Sequence, residues 1–277
     1  MNPRRESILR EMRLGPTWKM RGRASEEALE NQSAGAAPKR AGQRLDPLPA
    51  GDVNRTTPGE SRSVLATSPP NAPGAEPVAD ARRTRIAGLP WDALESEIRA
   101  CTACRLCESR QQAVPGIGDR GGNWMMVGEG PGAEEDRRGE PFVGPAGRLL
   151  DDMLAAIGLS RSQGVYIANA VKCRPPLNRT PQADEIAACL PYLERQIALV
   201  KPKLLVALGR PAAQSLLGEE IRINASRGRL FRHADIPVVV TYHPAYLLRN
   251  QTDKGRAWED LCFARASMAA LATPAAD

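Results

Sequence analysis

The chain has 277 residues, of which 42% are hydrophobic and 25% are charged, and it carries a formal net charge of +6 with a pI of about 9.2. This length allows one large or two small domains, and the composition excludes a wholly disordered chain. No apolar run reaches the length of a membrane span, and the first twenty residues lack the apolar core of a secretion signal. We therefore expect a soluble, cytoplasmic protein, and the surplus of positive charge weakly favours a polyanionic partner.

Residues 1–85 differ in composition from the rest of the chain. They are rich in Arg, Ala, Pro, Ser and Gly, and Trp18 is their only aromatic residue. Such a segment cannot bury enough apolar surface to offset the entropy lost on ordering it. We predict a disordered arm over 1–85 and a folded domain over 86–277. The arm is either a basic tether for nucleic acid or a dispensable extension, and its composition favours the latter.

Short apolar runs alternate with amphipathic segments from about residue 91 onward. The segment "WDALESEIRACTAC" predicts a helix, and four apolar runs predict strands at 123–128, 164–171, 203–209 and 236–244. Further helices are predicted at 147–159, at 180–200 with Thr180 as N-cap, after 209, and from 255. Continuous apolar strands between helices indicate a parallel sheet that is covered on both faces. The predicted fold is a three-layer α/β/α domain with a central four-stranded parallel sheet.

The chemically unusual segments follow the predicted strands. In open α/β sheets, ligands bind beyond the carboxyl ends of the strands. The first strand ends in "GEGPG", which carries Glu129 between glycines and matches neither a Walker A loop nor a dinucleotide fingerprint. The last strand ends in "TYHPAYLLR", which carries His243. The glycine-rich segment is either a tight turn or a loop that binds a ligand. The position of His243 at the end of a strand, opposite Glu129, favours a functional over a structural role for this histidine.

The leucines that follow His243 allow two interpretations. Leu247 and Leu248 stand directly before Arg249. In an exposed loop they would form an apolar wedge of the kind that enters DNA between bases, next to a cation that binds phosphate. Alternatively, both leucines pack beneath the last helix.

Three of the six cysteines stand within seven residues, at Cys101, Cys104 and Cys107. Cys173 follows the second predicted strand, and Cys189 lies in the next helix. Four thiolates from two distant segments can hold either a zinc ion or a 4Fe–4S cluster, and their spacing does not separate these two possibilities. The ferredoxin run is incomplete, because "ESRQ" follows Cys107 where the run needs its fourth cysteine. A free thiol is the simpler reading for Cys107 and for Cys262.

Five separated motifs together resemble the family 4 uracil-DNA glycosylases, the iron–sulfur members of the uracil-DNA glycosylase superfamily. The resemblance covers residues 91–268. Its motifs are "CTACRLCESR", "VGEGPGAEEDRRGEPFVGPAGRLLDDML", "VYIANAVKCRPPLNRTP", "SRGRLF" and "HPAYLLR". The chain lacks the insertion after the second strand that marks the covalent uracil-binding relatives, and it keeps Glu129, which the first motif of family 5 lacks.

The resemblance implies a monofunctional hydrolase of base excision repair, which flips uracil out of DNA and cleaves its N-glycosidic bond. It implies a structural [4Fe-4S] cluster on Cys101, Cys104, Cys173 and Cys189. Glu129 and His243 would be catalytic. The residues implied to bind the uracil are Gly130, Glu135, Phe142 and Asn169. Those implied to contact DNA are Arg174, Ser226, Arg227, Gly228, Leu247, Leu248 and Arg249.

Three other functions compete with this interpretation. They are an iron–sulfur DNA-binding module without activity, a zinc-stapled hydrolase of another nucleotide substrate, and an electron carrier. The combination of Glu129, Asn169 and His243 argues against the first, and the incomplete cysteine run argues against the last. We expect a monomer that acts on single- or double-stranded DNA containing uracil, with no membrane partner, in the cytoplasm or at the nucleoid of a bacterium.

Overall fold

The computed structural model describes residues 76–272. Its helices before the third strand are α1 (Glu76–Ala87), α2 (Trp91–Ala100), α3 (Leu106–Ser109), α4 (Ala133–Arg138) and α5 (Pro145–Ala156). Those after it are α6 (Ala183–Val200), α7 (Arg210–Leu217), α8 (Ile223–Ser226), α9 (Pro244–Arg249) and α10 (Lys254–Ala272). Short 3₁₀ turns lie at Pro176–Asn178 and Gln251–Asp253.

One sheet of six strands forms the centre of the described domain. The strands are β1 (Ile117–Gly118), β2 (Trp124–Gly128), β3 (Val165–Asn169), β4 (Leu204–Leu208), β5 (Leu230–His233) and β6 (Ile236–Thr241). Their order is β1-β3-β2-β4-β6-β5. The four predicted strands, β2, β3, β4 and β6, pair in parallel, and β1 and β5 pair antiparallel at the two edges.

The expected four-stranded sheet is therefore wrong in its strand number, because the two edge strands were missed. β1 has only two residues, which is too short to give a periodic signal. In β5, exposed and partly buried residues alternate, so the segment lacks the continuous apolar run that marked the central strands.

Helices cover both faces of the sheet, which makes the described domain three-layered as expected. On one face, Met126 and Val206 pack with residues of α5 and α10, including Met153 and Leu261. On the other face, the next residues along the strands, such as Val127, pack with residues of α6 and α7. Side chains of adjacent strand residues point to opposite faces, so uninterrupted apolar strands supply both cores.

The predicted end of the N-terminal arm at residue 85 is also wrong. Helix α1 includes residues 76–85, and its Ile86 is fully buried in a cluster with Tyr192. Arg82 Nη1 donates a hydrogen bond to the backbone oxygen of Ala188 at 2.9 Å. These contacts attach α1 to helix α6 by apolar and polar groups. The rest of the predicted arm, residues 1–75, lies outside the described residues.

Helix α6 begins two residues later than its sequence predicted. Gln182, not Thr180, is the N-cap, and it forms a reciprocal capping box with Glu185. Glu185 also accepts two hydrogen bonds from Arg179, at 2.8 and 2.6 Å. This arrangement satisfies backbone donors at the start of the helix and leaves residues 174–181 as a loop.

Within the described range, no helix combines the length and apolarity that crossing a membrane requires.

Candidate active site

A cleft of about 1000 Å³ opens at the carboxyl ends of the parallel strands. Its walls come from the segments that follow β2, β3, β4 and β6, as the position of the unusual motifs predicted. The sequence-predicted residues that line it are Glu129, Gly130, Glu135, Phe142, Asn169, His243 and Arg249. The structure therefore brings together every predicted catalytic and base-binding residue, although they lie up to 114 positions apart (243 minus 129).

Asn169 is the last residue of β3, and its side chain is 2% exposed. Its Oδ1 is the one buried side-chain nitrogen or oxygen atom in the described range that has no hydrogen-bond partner. Gly128 is its register partner on β2. A Cβ on Gly128 would collide with Asn169 Oδ1 and would lie 2.6 Å from the Phe142 ring. The absence of a side chain at 128 thus lets the amide and the aromatic ring lie side by side.

Phe142 has an unusual backbone that its surroundings hold in place. Its φ is 56°, in the left-handed region that costs energy for a residue with a Cβ. Arg161 donates hydrogen bonds to the carbonyl oxygens of Pro141 at 2.8 Å and Phe142 at 2.7 Å. Glu135 Oε1 accepts from the backbone N–H groups of Val143 at 2.9 Å and Gly144 at 3.0 Å. The aromatic ring is therefore fixed before any ligand binds.

Of the two side chains that hold the Phe142 loop, Glu135 was predicted from the sequence and Arg161 was not. Glu135 was expected beside the base, and it does line the cleft, but its carboxylate also braces the Phe142 loop. Arg161 was missed, because nothing in "GLSRSQG" shows that its side chain reaches a loop about twenty residues earlier.

His243 forms the N-cap of α9, and its Nδ1 accepts a hydrogen bond from the N–H of Ala245 at 3.1 Å. Because Nδ1 accepts, the proton of the neutral ring resides on Nε2, which is then a donor. Burial, and secondarily the charge of Arg249, lowers the pKa of His243 from 6.5 to about 4. The ring is thus neutral at physiological pH. It stacks on Phe142 with centroids 5.6 Å apart.

Glu129 follows β2 directly and is partly buried in the cleft wall. Burial raises its pKa above the ordinary value of 4.5, against smaller opposing effects of a Thr180 hydrogen bond and the charge of Arg210. Its backbone oxygen accepts from Val171 N–H at 3.2 Å, which extends the β2–β3 pairing past the strand ends. A carboxylate with a raised pKa in a cleft is a common feature of active sites.

The expected wedge of two leucines is half wrong. Leu247 is fully buried and packs in the core beneath α9, so it is not available to DNA. Leu248, by contrast, is 38% exposed, and Arg249 lines the cleft. In a one-turn helix, adjacent residues point in different directions, so only one of the two can face the core.

The other predicted DNA contacts lie outside the cleft lining. Arg227 donates to Asp260 at 2.9 Å and to Glu259 at 3.0 Å, which corrects its expected role as a free phosphate-binding cation. The hydroxyl of Ser226 is buried and donates to the Arg222 backbone oxygen at 3.0 Å. Gly228 is exposed with a φ of 68°. Arg174 donates from Nε to Asn178 Oδ1 at 2.8 Å.

A second, small cavity lies on the other side of the loop that follows β3. Five cysteines line it, namely Cys101, Cys104, Cys107, Cys173 and Cys189. The sixth, Cys262, lies on α10 and packs against the core of the sheet. The four residues proposed as ligands thus converge from three segments of the chain, and Cys107 lies beside them.

N–H groups surround the sulfur atoms of this cavity. Arg110 Nη1 donates to Cys173 Sγ at 2.9 Å, the backbone N–H of Lys172 donates to Cys189 Sγ at 3.2 Å, and Ala103 N–H donates to Cys101 Sγ at 3.5 Å. Burial raises the pKa of Cys189 to about 12, and it also raises the pKa values of Cys104 and Cys173. Without a positively charged ligand, these thiols therefore stay protonated.

Among residues 76–272, no three His, Cys, Asp or Glu side chains are grouped closely enough to hold one metal ion.

Lys172, which the sequence analysis missed, joins the cysteine cavity to the cleft. Its ammonium group is buried and donates to the Asn169 backbone oxygen at 2.7 Å and to Gln196 Oε1 at 2.6 Å. Burial lowers its pKa to about 8. Since its own N–H donates to Cys189, one residue contacts both the predicted cluster ligands and the predicted base-reading segment.

Comparison with known proteins agrees with this site. The family model described as "Uracil DNA glycosylase superfamily" matches residues 115–263. The type-4 uracil-DNA glycosylase of Sulfurisphaera tokodaii is 46% identical over 166 residues, which is 57% of this chain and 75% of the relative. That of Thermotoga maritima is 43% identical over 165 residues, 59% of this chain and 85% of the relative. The type-5 enzyme of Thermus thermophilus is 32% identical over 201 residues, 58% and 90% of the two chains.

With its α/β sheet, its strand-end cleft and this match, the chain belongs to the uracil-DNA glycosylase superfamily. Its similarity is greater to type-4 than to type-5 proteins, at 41–46% against 32–35% identity. Within the superfamily it is a type-4 member, and this confirms the resemblance seen in the sequence motifs.

Proposed function

We propose that the protein is a uracil-DNA glycosylase, which hydrolyses the N-glycosidic bond of a uracil flipped out of DNA and leaves an abasic site. The observation that carries this proposal is the unpaired Oδ1 of Asn169, buried in the cleft beside Phe142. A buried acceptor without a donor costs roughly 1–3 kcal/mol. A ligand N–H that reaches Oδ1 removes this cost, so the site favours a flat ring with an amide edge.

Uracil matches this requirement through its N3–H donor and its adjacent carbonyl acceptor. The Asn169 amide offers the complementary acceptor and donor in one group. Phe142 supplies the face on which the base stacks, and its fixed backbone keeps the ring in place. Cytosine presents an acceptor where uracil has N3–H, so it would leave Oδ1 unpaired and be rejected.

His243 stabilises the leaving group. When the bond between C1′ and N1 breaks, both bonding electrons go to the base, and negative charge develops on the uracil oxygens. The neutral ring of His243 offers its Nε2–H as a donor to this charge, since Nδ1 already accepts from Ala245. A fixed donor of this type contributes about 10²–10³ in rate.

Glu129 acts on the sugar. As the base leaves, C1′ gains positive character, which a nearby carboxylate stabilises, and a water molecule adds to C1′. Glu129 would orient that water, and the proton that the water releases as the new C–O bond forms passes through solvent to the departing uracil anion. Its raised pKa fits a carboxylate that is partly desolvated in the cleft wall.

Glu135 is proposed to exclude thymine. Its carboxylate lines the cleft, and its contacts to Val143 and Gly144 keep it in place. A methyl group on the base would meet this side chain, so the same residue would brace the stacking loop and limit the size of the base. Gly130 allows the chain to pass close to Val171, whose side chain would lie 2.8 Å from a Cβ at that position.

The DNA surface is proposed to include Leu248, Arg249, Arg174 and Gly228, without Ser226, whose buried hydroxyl donates to the Arg222 backbone oxygen. Leu248 would fill the space left by the flipped nucleotide, and Arg249 would bind a nearby phosphate. Arg227 is left out of this surface, because its guanidinium is already held by Asp260 and Glu259.

A [4Fe-4S] cluster is proposed on Cys101, Cys104, Cys173 and Cys189. The residues present fit this group, because N–H donors surround the sulfurs and Arg82, Arg110 and Lys172 lie nearby to balance thiolate charge. The match to type-4 uracil-DNA glycosylases favours a cluster over zinc at this cavity. The cluster would join α2 and the loop after β3 as a structural cross-link. Cys107 is proposed to be a bystander.

The test is uracil release by the purified protein, with its colour recorded. Oligonucleotides carry U·G, U·A or single-stranded U, and a T·G duplex is the control. Strand cleavage at uracil after alkali, with T·G intact, is the expected result. No cleavage by brown, cluster-loaded protein would contradict the proposal and favour a binding module. We also propose that the protein is a monomer and works at the nucleoid in a bacterium.

A further inference from the structure

The loop between β3 and α6 carries a leucine that no role described so far uses. Leu177 is 96% exposed, which makes it the most exposed large hydrophobic side chain in residues 76–272. Moving the surface of a leucine out of water lowers the free energy. A ligand that covers the nearly fully exposed Leu177 would therefore be stabilised by this contact. A single exposed leucine needs no explanation by itself, and the backbone around Leu177 is therefore the deciding observation.

Two consecutive residues of this loop adopt left-handed backbone angles. Leu177 and Asn178 both have a φ of 54°, and neither is glycine. Such conformations cost energy and persist when their surroundings enforce them, often where a binding residue must be presented. The strain here turns the chain so that the Leu177 side chain points out of the protein.

Hydrogen bonds on both sides hold the loop in this conformation. Arg174 Nε donates to Asn178 Oδ1 at 2.8 Å, and the N–H of Asn178 donates to the Pro175 oxygen at 3.0 Å. Arg179 forms its two hydrogen bonds with Glu185, which is fully buried at the start of α6. Leu177 is thus a rigid projection whose position is set before binding.

The position of the loop identifies what it would contact. Pro175, Asn178 and Arg179 line the same cleft as Phe142 and His243. In the sheet, β3 and β6 flank β2 and β4, so the loops after β3 and β6 stand on opposite sides of the cleft, about 14 Å apart at the strand ends. Each of these loops carries an exposed leucine, Leu177 on one side and Leu248 on the other.

We propose that Leu177 is a second apolar contact to DNA, which packs against the bases of the strand opposite the uracil and so assists excision from duplex DNA. This inference rests on the proposed function. A single-stranded substrate has no opposite strand, so the contact would be made on duplex substrate only. The positive charge of Arg174 beside it, whose hydrogen-bond partner Asn178 is neutral, favours a nucleic acid over an apolar protein partner at this position.

The test compares Leu177→Ala with Leu230→Ala. Leu230 is also exposed, at 51%, but it lies on β5, none of whose residues lines the cleft, whereas residues on both sides of Leu177 do. Single-turnover excision is measured on a U·G duplex and on the same strand alone. We expect Leu177→Ala to lower the excision rate about tenfold on the duplex, as when one base-stacking contact is removed. On the single strand the rate should fall less than about twofold. Leu230→Ala should match the parent protein on both substrates.

Two further variants and a binding measurement sharpen the result. Leu177→Met keeps an apolar side chain of similar size and should retain duplex activity, whereas Leu177→Gln should behave like Leu177→Ala. Fluorescence anisotropy with a duplex that carries an abasic-site analogue should show weaker binding by Leu177→Ala, and this readout does not depend on catalysis. Unchanged duplex excision and binding, or equal losses on both substrates, would overturn the inference. Failure of the parent protein to release uracil would instead overturn the proposed function.

Discussion

Residues of one short segment, Asn169–Cys173, line both the cleft and the cysteine cavity. The two regions differ in whether their polar atoms have hydrogen-bond donors. In the cleft, the buried Oδ1 of Asn169 has no partner. In the cavity, the sulfurs of Cys101, Cys173 and Cys189 each accept an N–H. The unpaired oxygen suits a site that binds and releases a ligand, whereas N–H donors around the sulfurs suit the proposed cluster, which would stay bound.

The same comparison explains why the two regions need different residues. The cleft depends on positions where a side chain is missing or strained, such as Gly128 and Phe142. The cavity depends on buried thiols, which lose their protons more readily when a positively charged group binds, and on the buried ammonium of Lys172, which negative charge on those sulfurs stabilises. Substitutions in the cleft should therefore change the reaction first, and those in the cavity should change stability first.

The largest expected effect is that of Asn169→Ala. Removing the amide deletes both the acceptor and the donor for the base edge, so uracil excision should fall by about 10³-fold or more. The midpoint of thermal unfolding should change little or rise, since an unpaired buried acceptor is removed. Single-turnover rates and calorimetry measure the two quantities. Retention of the parent's rate and of its preference for uracil over cytosine would contradict the reading role.

His243→Ala should lower excision by about 10²–10³, the usual cost of losing one donor to a developing anion. His233→Ala is the matched control, because His233 is the other histidine of the chain and its Nδ1 lies 2.7 Å from the Leu216 oxygen, away from the cleft lining. His243→Asn retains a good N-cap residue and should separate catalysis from helix stability. Near-parental turnover by His243→Ala would remove it from the mechanism.

Cys173→Ala tests the structural side of the comparison. Without this ligand, the brown colour and the stability of the fold should be lost together, and the unfolding midpoint should fall by roughly 10 °C or more. Cys107→Ala, in the same cavity, should keep both the colour and the midpoint. Visible absorption and thermal melts give the two readouts. A stable brown Cys173→Ala protein would exclude this residue as a ligand.

The pH dependence of excision should report Glu129 and not His243. Since the pKa of His243 is lowered to about 4, the ring stays neutral as the pH falls through 6.5. The pKa of Glu129 is raised above 4.5, so its protonation as the pH falls should set the acidic limb, with about tenfold loss per pH unit below that pKa. Glu129→Gln should lower the rate and remove the limb. A limb at pH 6.5 that survives Glu129→Gln would contradict this assignment.

The smallest expected effect on activity is that of Arg227→Met. Asp260 is almost fully buried, and loss of its partner should destabilise the fold by about 3–5 kcal/mol. Excision per folded molecule, and the salt dependence of DNA binding, should stay close to those of the parent. Arg229→Met, at an exposed position nearby, is the control for loss of one positive charge. If the salt dependence of DNA binding became flatter for Arg227→Met but not for Arg229→Met, Arg227 would have to contact DNA.

The sequence predicted the strands of the core, and through them the place of the site. Continuous apolar runs marked the four parallel strands, and their ends brought Glu129, Asn169 and His243 to one cleft. The edge strands were missed because short, half-exposed segments carry little periodic signal. The start of α6 was misplaced because Gln182 caps this helix only together with Glu185.

The other errors have a common physical origin in long-range contacts. Arg227 was taken for a phosphate contact because its partner Asp260 stands 33 positions later. Leu247 and Leu248 could not be distinguished until the packing of α9 was known. Lys172 and Arg161 were missed for the same reason, since each acts through groups that come close only in the folded chain.

The N-cap hydrogen bond of His243 also selects the neutral form of its ring before uracil binds. An imidazole in water exchanges between two neutral forms, and only one of them carries its hydrogen on Nε2. Because the N–H of Ala245 at the start of α9 donates to Nδ1, the folded protein favours the form with its hydrogen on Nε2. A ring held in this form need not exchange a proton before it donates to a uracil oxygen.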